Sequence, residues 1–174
     1  MGQENEPVIR TRRESDVPGA ANALVEVHAT DGYPVEGVRD PESWLTPPNV
    51  IHAWIAEFHG RTVGHIAISQ PNGEDAVTLW LKQGNGSEQK TAVLARLFVV
   101  RDVRRMAVGE RLVRAASEYA ERMGIRLVLD VMAKDVAAIR LYERLGWRKL
   151  GRTNHTFGDG QQAQALCYVS PSPA

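Results

Sequence analysis

The 174-residue chain contains a single cysteine, Cys167. One thiol can neither close an internal disulfide nor build a cysteine-based metal site. No apolar run approaches the roughly 18 residues that a membrane span requires. The first six residues, Met1-Gly2-Gln3-Glu4-Asn5-Glu6, are polar and acidic, unlike a secretory signal. Glu6 stands where a myristoylation pattern needs Ser or Thr. Net charge is absent as well. The 21 basic side chains match the 21 acidic ones, which gives no general electrostatic case for nucleic acid. Together these absences predict a cytoplasmic protein without nucleic-acid or membrane partners.

What is present is an ordinary globular composition, 43% hydrophobic and 24% charged. The length suits one domain over residues 1–174, ordered over about 8–170 with short tails. There is no internal repeat and no long linker. Charge is unevenly spread: residues 1–95 hold 7 basic and 13 acidic side chains, whereas residues 96–126 hold 8 arginines and 4 acids. A basic middle suits a compact polyanion such as a phosphorylated cofactor, or equally a solvated helix laced with ion pairs.

Patterning predicts a strand at Val8–Arg12, then a helix opening at Asp16-Val17-Pro18 and running to about Thr30. Residues 31–50 are broken by Pro34, Pro41, Pro47 and Pro48, with Trp44 and Leu45 on a short helix between. Ile51–Phe58 and Thr62–Ser69 read as a hairpin turning at His59-Gly60-Arg61. Residues 82–90 read as a polar loop, and Thr91–Val100 as a strand buried on both faces. An amphipathic helix follows from Val108 to Gly124, then a strand at Ile125–Val131 and a helix capped by Asp135 and ended by Gly146. Trp147–Leu150 and Gln164–Val169 are late strands. This order predicts an α+β domain, or an α/β-like one, with a mixed sheet.

The segment richest in chemistry is Leu97 to Leu112, in which a buried strand turns sharply into an amphipathic helix. A helix N-terminus presents unpaired N–H groups and a positive dipole end to an anion. Small residues at Ala107 and Gly109 would let phosphates reach those amides, and Arg104 and its neighbours add charge. Close helix–strand packing explains the small residues equally well. A dinucleotide-binding domain is the weaker alternative, since the turn follows residue 100 and lacks the full glycine pattern.

Arg104-x-x-Ala107-x-Gly109 after Leu97-Phe98-Val99 resembles the Gln/Arg-x-x-Gly-x-Gly/Ala signature of the GCN5-related N-acetyltransferase (GNAT) family. Asp135 to Trp147, with Ala138-Ile139-x-Leu141-Tyr142 and Leu145-Gly146-Trp147, resembles that family's second signature. Two departures stand out: Ala107 replaces the preferred glycine, and Asp135 replaces a common asparagine that could donate to a pantetheine arm.

The resemblance implies a single GNAT-like domain. Its central sheet is mixed and mostly antiparallel, of about six or seven strands, with helices on both faces and a splayed central strand pair. It implies acetyl-CoA as acyl donor, no metal, and direct attack by an amine. Pantetheine would pair near Phe98, Val99 and Val100. The pyrophosphate would lie on Arg104, Arg105, Met106, Ala107, Val108, Gly109 and Glu110. Asp135, Ala138 and Tyr142 would complete the cofactor site. Val99 N–H would hold the oxyanion, and Tyr142 would protonate the leaving thiolate.

No carboxylate lies on Thr91–Val100, so the base is open: Glu57, His65, Asp31 or ordered water. Cys167, in an apolar strand without an evident base, reads as an inert buried thiol. Glu26, Asp31, Glu36, Asp40 and Glu42 beside Tyr33 and Trp44 suit a cationic amine, or are simply a solvated acidic surface. The partner is then a small-molecule or protein amine, and a homodimer is open. The rival from another class is an acyl-CoA-binding sensor without turnover; a third reading is an enzyme using a longer acyl-CoA.

Overall fold

The computed structural model describes residues 5–34, 36–84, 86–157 and 160–172. In chain order the elements are β1 (Val8–Thr11), α1 (Val17–Asp31), α2 (Pro41–Leu45), β2 (Val50–Phe58), β3 (Arg61–Ser69), α3 (Asp75–Lys82), β4 (Thr91–Val99), α4 (Val108–Arg122), β5 (Arg126–Met132), α5 (Val136–Arg144), β6 (Arg148–Phe157) and β7 (Gln161–Val169). Strand order is β1-β2-β3-β4-β5-β7-β6. The chain divides into two compact units, Met1–Ile68 with Arg96–Ala116, and Ser69–Ala95 with Ser117–Ala174.

In the first unit β1 pairs antiparallel with β2, from Val8 opposite Glu57 to Thr11 opposite Trp54. Arg10 ties this pair to the start of α1: it gives both terminal nitrogens to Asp16, at 2.7 and 2.8 Å, and reaches Glu57 at 2.7 Å. Asp16 occupies the N-cap position, but its carboxylate serves Arg10 and the Arg13 N–H rather than the helix. β2 turns into β3 through His59 and Gly60, both left-handed (φ 52° and 73°), as a two-residue type I′ turn requires. α1 buries Ala20, Ala21, Ala23, Leu24 and Val27. On β3, a Cβ at Gly64 would come within 3.1 Å of Val108 Cγ1 and Leu112 Cδ1 and 3.3 Å of the Phe98 carbonyl, so glycine lets α4 lie close against the strand.

In the second unit β5 and β7 run antiparallel from Val128–Val169 to Met132–Ala165, and β6 and β7 from Arg148–Val169 to Phe157–Gln161. Thr91–Val93 of β4 pair in parallel with Arg126–Val128 of β5. The sheet is therefore mixed and mostly antiparallel, as expected. Its core gathers Ala76, Val77 and Trp80 of α3 with Val93, Val128, Cys167 and Val169.

α3 is an element that the apolar pattern of the sequence does not mark. Glu74 at its N-cap makes no side-chain cap; Asp130 of β5 instead accepts the Ala76 N–H at 3.1 Å. The late strands are also longer than predicted, because the mostly polar residues 151–157 and 161–163 continue a hairpin whose more apolar part alone is legible.

Candidate functional site

Within β4, Arg96 sits at φ 58°. A non-glycine residue in the left-handed region takes its carbonyl out of the regular ladder, and the Arg96 carbonyl is met by His65 Nδ1 at 2.9 Å. Further on, Val100 N–H donates to the Val63 carbonyl at 2.9 Å. The chain then winds through a 3-10 turn, Arg101–Met106, reaches Ala107 at φ 58°, ψ 28°, and opens α4 at Val108. Val103 and Val108 are buried and anchor the turn, whereas Arg104, Arg105, Met106 and Ala107 are exposed. Gly109 is the second residue of α4, inside the turn whose N–H groups have no intrahelical partner. The sequence-predicted residues 98–100 and 104–110 thus form one continuous strand-end, turn and helix-start in the first unit.

The arginines of the turn differ in their engagements. Arg104 grips the Val99 carbonyl with Nε and Nη2, at 3.2 and 3.1 Å, and is ion-paired with Asp31. Arg101 also reaches Asp31, at 3.5 Å. Partial burial pushes the Asp31 carboxyl up, but hydrogen bonds from Arg104 and Thr30 outweigh it and hold the group below its ordinary value. Arg104 therefore fixes the end of β4, with its charge offset by Asp31. Arg105 is exposed and has no ion pair among the described residues.

Behind the strand end lies an aromatic row. Tyr33 meets Trp44 edge-on at 5.9 Å, Trp44 lies 6.3 Å from Phe98, and Phe98 stacks on His65 at 5.2 Å. His65 is fully buried. Burial drives its pKa down to about 3, against the raising effect of the Arg96 carbonyl and aided by repulsion from Arg12 and Arg96. A neutral ring that donates Nδ1–H to the Arg96 carbonyl can accept from Arg12 through Nε2, at 3.0 Å. Both ring nitrogens are therefore committed.

This bears on the base candidates. His65 is locked, Glu57 is paired with Arg10, and Asp31 is paired with two arginines. The acidic residues between 26 and 42 are likewise partly engaged. Glu26 faces Arg61 at 3.4 Å, and Asp40 accepts from Ser43 at the start of α2.

In the second unit, Tyr142 is 6% exposed on α5, with its ring 5.5 Å from Trp147 and 6.5 Å from Tyr168. Burial, then the charge of Asp135, pushes its phenol well above the usual tyrosine value, so it stays protonated. Asp135 holds the N-cap position of α5 without a side-chain cap, contrary to its reading as a capping acid. Ala138 is part-buried on the same helix. Cys167 is buried and donates to Asp130 at 3.0 Å; burial and that carboxylate push the thiol far up. Asp130 keeps an open side, yet enclosure of its carboxyl raises its pKa, with Cys167 opposing. Among the described residues no three His, Cys, Asp or Glu side chains are placed to hold a metal ion.

Three residues escaped sequence reasoning. Gly64 permits the approach of α4, and a lone glycine in a β-branched strand was the only available signal. Arg12 and Arg96 surround His65, and nothing local marks that convergence.

The family model described as "Acetyltransferase (GNAT) family" matches residues 21–147. N-acetyltransferase family 8 member 3 of Mus musculus is 30% identical over 105 residues, covering 60% of this chain and 42% of that protein. Its Rattus norvegicus counterpart is 31% identical over 105 residues, covering 60% and 41%. The chain thus spans about two fifths of the length of these curated relatives. Among solved structures, ribosomal-protein-alanine N-acetyltransferase from Brucella melitensis superposes with a TM-score of 0.70 at 17% identity, covering 94% of this chain and 98% of that one. Arabidopsis thaliana NAA60 in complex with acetyl-CoA gives 0.70 at 17% identity, covering 94% and 97%. At such identities the likeness shows the fold.

Proposed function

Because this chain belongs to the acetyltransferase (GNAT) family, we propose that it transfers the acetyl group of acetyl-CoA directly to a primary amine. One acetyltransferase domain would span the chain. The observation that carries this reading is the exposed turn at 104–107 opening α4, with a left-handed residue at the position where the family prefers glycine. Left-handed backbone suits glycine, so the departure at Ala107 preserves the conformation while adding one methyl.

The residues present fit the co-substrate. Amides of Val108, Gly109 and Glu110 are first-turn amides, and Arg105 offers a cation beside them. When bound, the thioester supplies an activated acyl group with a thiolate as leaving group. Val99 supports this from the strand end. Its carbonyl is held by Arg104, and Val100 N–H is spent on β3, so by strand alternation Val99 N–H projects to the other edge and can hold an oxyanion. Tyr142 fits a proton donor because burial keeps its phenol protonated. The commitments of Glu57, His65 and Asp31 favour an amine deprotonated through water.

The sensor reading has one observation in its favour: the only charge on β4 is Arg96, a cation. Release of free thiol from acetyl-CoA in the presence of an amine library decides between them. Tyr142→Phe, which keeps the ring, should cut single-turnover rate by roughly 10²–10⁴ while CoA binding survives. Absence of thiol release with every amine supports the sensor, and an unchanged Tyr142→Phe rate makes the phenol a packing group.

A further inference from the structure

Asp31 stands where helix stability alone would not put an acid. It is the last residue of α1, followed by the left-handed Gly32 that closes the helix. A negative charge at a helix C-terminus is unfavourable, and a cation is what that end favours. Both Asp31 oxygens are nevertheless engaged by the turn after β4. Oδ2 accepts from Arg104 Nη2, and Oδ1 meets Arg101 Nη2 at 3.5 Å. Nor does the acid hold the chain that follows it. α2 has anchors of its own, because Arg96 Nε and Arg12 Nη1 donate to the Trp44 and Leu45 carbonyls at 2.6 and 2.8 Å.

The partner of Asp31 carries the argument to the strand. Arg104 gives Nε and Nη2 to one acceptor, the Val99 carbonyl, so both lone pairs of that oxygen are used. The same peptide unit ends in the Val100 N–H, which donates to the Val63 carbonyl of β3. The peptide joining Val99 to Val100 is thus held at both poles. A strand residue sends its N–H and its carbonyl to the same edge, so fixing this peptide also aims the Val99 N–H. Arg104 is partly exposed, and ordering so long a side chain on a neutral carbonyl costs entropy. The charge-assisted bond to Asp31 offsets that cost.

We propose that Asp31 is a positioning residue. Through Arg104 it holds the Val99–Val100 peptide so that the Val99 N–H points at the thioester carbonyl. The inference rests on the proposed acetyl transfer with Val99 as oxyanion donor, and it gives Asp31 a task other than base or acceptor contact.

The test reads the thioester carbonyl itself. Acetyl-CoA labelled with 13C at that carbon is bound to saturation without an acceptor, and its resonance is compared with that of free acetyl-CoA. A hydrogen bond to the oxygen polarises the carbonyl and moves the signal downfield. The wild type should show this shift. Asp31→Asn and Arg104→Gln should lose most of it with CoA affinity unchanged, and Asp31→Glu should keep part of it. Single-turnover transfer to an accepted amine should fall by roughly 10–10²-fold in the first two variants, part of what loss of a whole oxyanion donor costs, with KM for acetyl-CoA unmoved. Should Arg104→Gln fail to fold, Asp31→Asn still decides. Weaker CoA binding with the carbonyl shift intact would make Arg104 a phosphate ligand and overturn the inference. An unchanged shift and unchanged affinity in both variants would reduce the ion pair to surface stabilisation and overturn it too, leaving acetyl transfer intact where the wild type releases thiol. A shift present in the wild type and lost in the variants, in a protein that acetylates no amine, would uphold the role of Asp31 and overturn the transfer reading. No downfield shift in the wild type overturns the inference outright.

Discussion

Ala107 shows how much one methyl can report. Its φ of 58° is the conformation that L-residues adopt at a cost and glycine adopts freely. Its side chain is exposed, so no packing offsets that cost. Ala107→Gly should therefore stabilise the protein by up to ~1 kcal/mol, because relief of strain exceeds the added freedom of the unfolded chain. CoA affinity should hold or rise, since the turn keeps its shape and loses a methyl near the proposed phosphate position. Thermal unfolding and calorimetric titration of CoA check both. A lower melting temperature with weaker CoA binding would mean that the methyl is a packing contact. Alanine was visible in the sequence as a departure from a motif. That it occupies a left-handed turn was not, because φ is set by the chain on either side.

At the scale of elements, the sequence was most legible where periodicity and local capping agree. The strand Thr91–Val99, helix α4 and its stop at Gly124 follow from apolar spacing, and Gly124 is left-handed at φ 68° as a helix stop requires. α3 was not legible. Val77 and Thr78 are β-branched, the segment is short, and its cap comes from Asp130, 54 residues away in sequence. Tertiary packing of Ala76, Val77 and Trp80 overrides weak local preference. The candidate site divides the same way. The turn 104–109 announces itself by small residues beside arginines, whereas the grip of Arg12 and Arg96 on α2 joins residues over 30 positions apart. Asp130→Ala should cost ~1 kcal/mol, the usual value of a lost N-cap, and Asp130→Asn clearly less, since the amide oxygen can still accept. Urea unfolding measures the pair, and equal losses would show that the carboxylate serves Cys167 rather than α3.

At the scale of the whole molecule, acid stability reports the buried His65. Its folded pKa of about 3 lies below its ordinary 6.5, so between these values the unfolded chain holds a proton that the folded one refuses. Stability is therefore lost as pH falls from 6.5 towards 3, by about 1.4 kcal/mol per pH unit at most. Asp16, held by Arg10 at about 2 against its ordinary 3.8, adds a loss below pH 3.8 as its ion pair is protonated. His65→Gln can still accept from Arg12 and donate to the Arg96 carbonyl, but it does not titrate. Its urea midpoint should fall less than that of the wild type between pH 6 and pH 4. Parallel curves would mean that His65 is protonated in the folded protein.

The proposed function depends chiefly on one surface, the turn that opens α4, and calorimetric titration with CoA tests it most directly. Wild-type protein should bind CoA with one site per chain. Gly109→Glu places a carboxylate and its bulk at the second residue of α4, where an acidic side chain favours the helix, so the melting temperature should hold or rise. CoA affinity should nevertheless fall by about 100-fold or more, because the carboxylate occupies and repels the phosphate position. A folded Gly109→Glu protein that binds CoA as tightly as the wild type would contradict the assignment of this turn as the cofactor cradle.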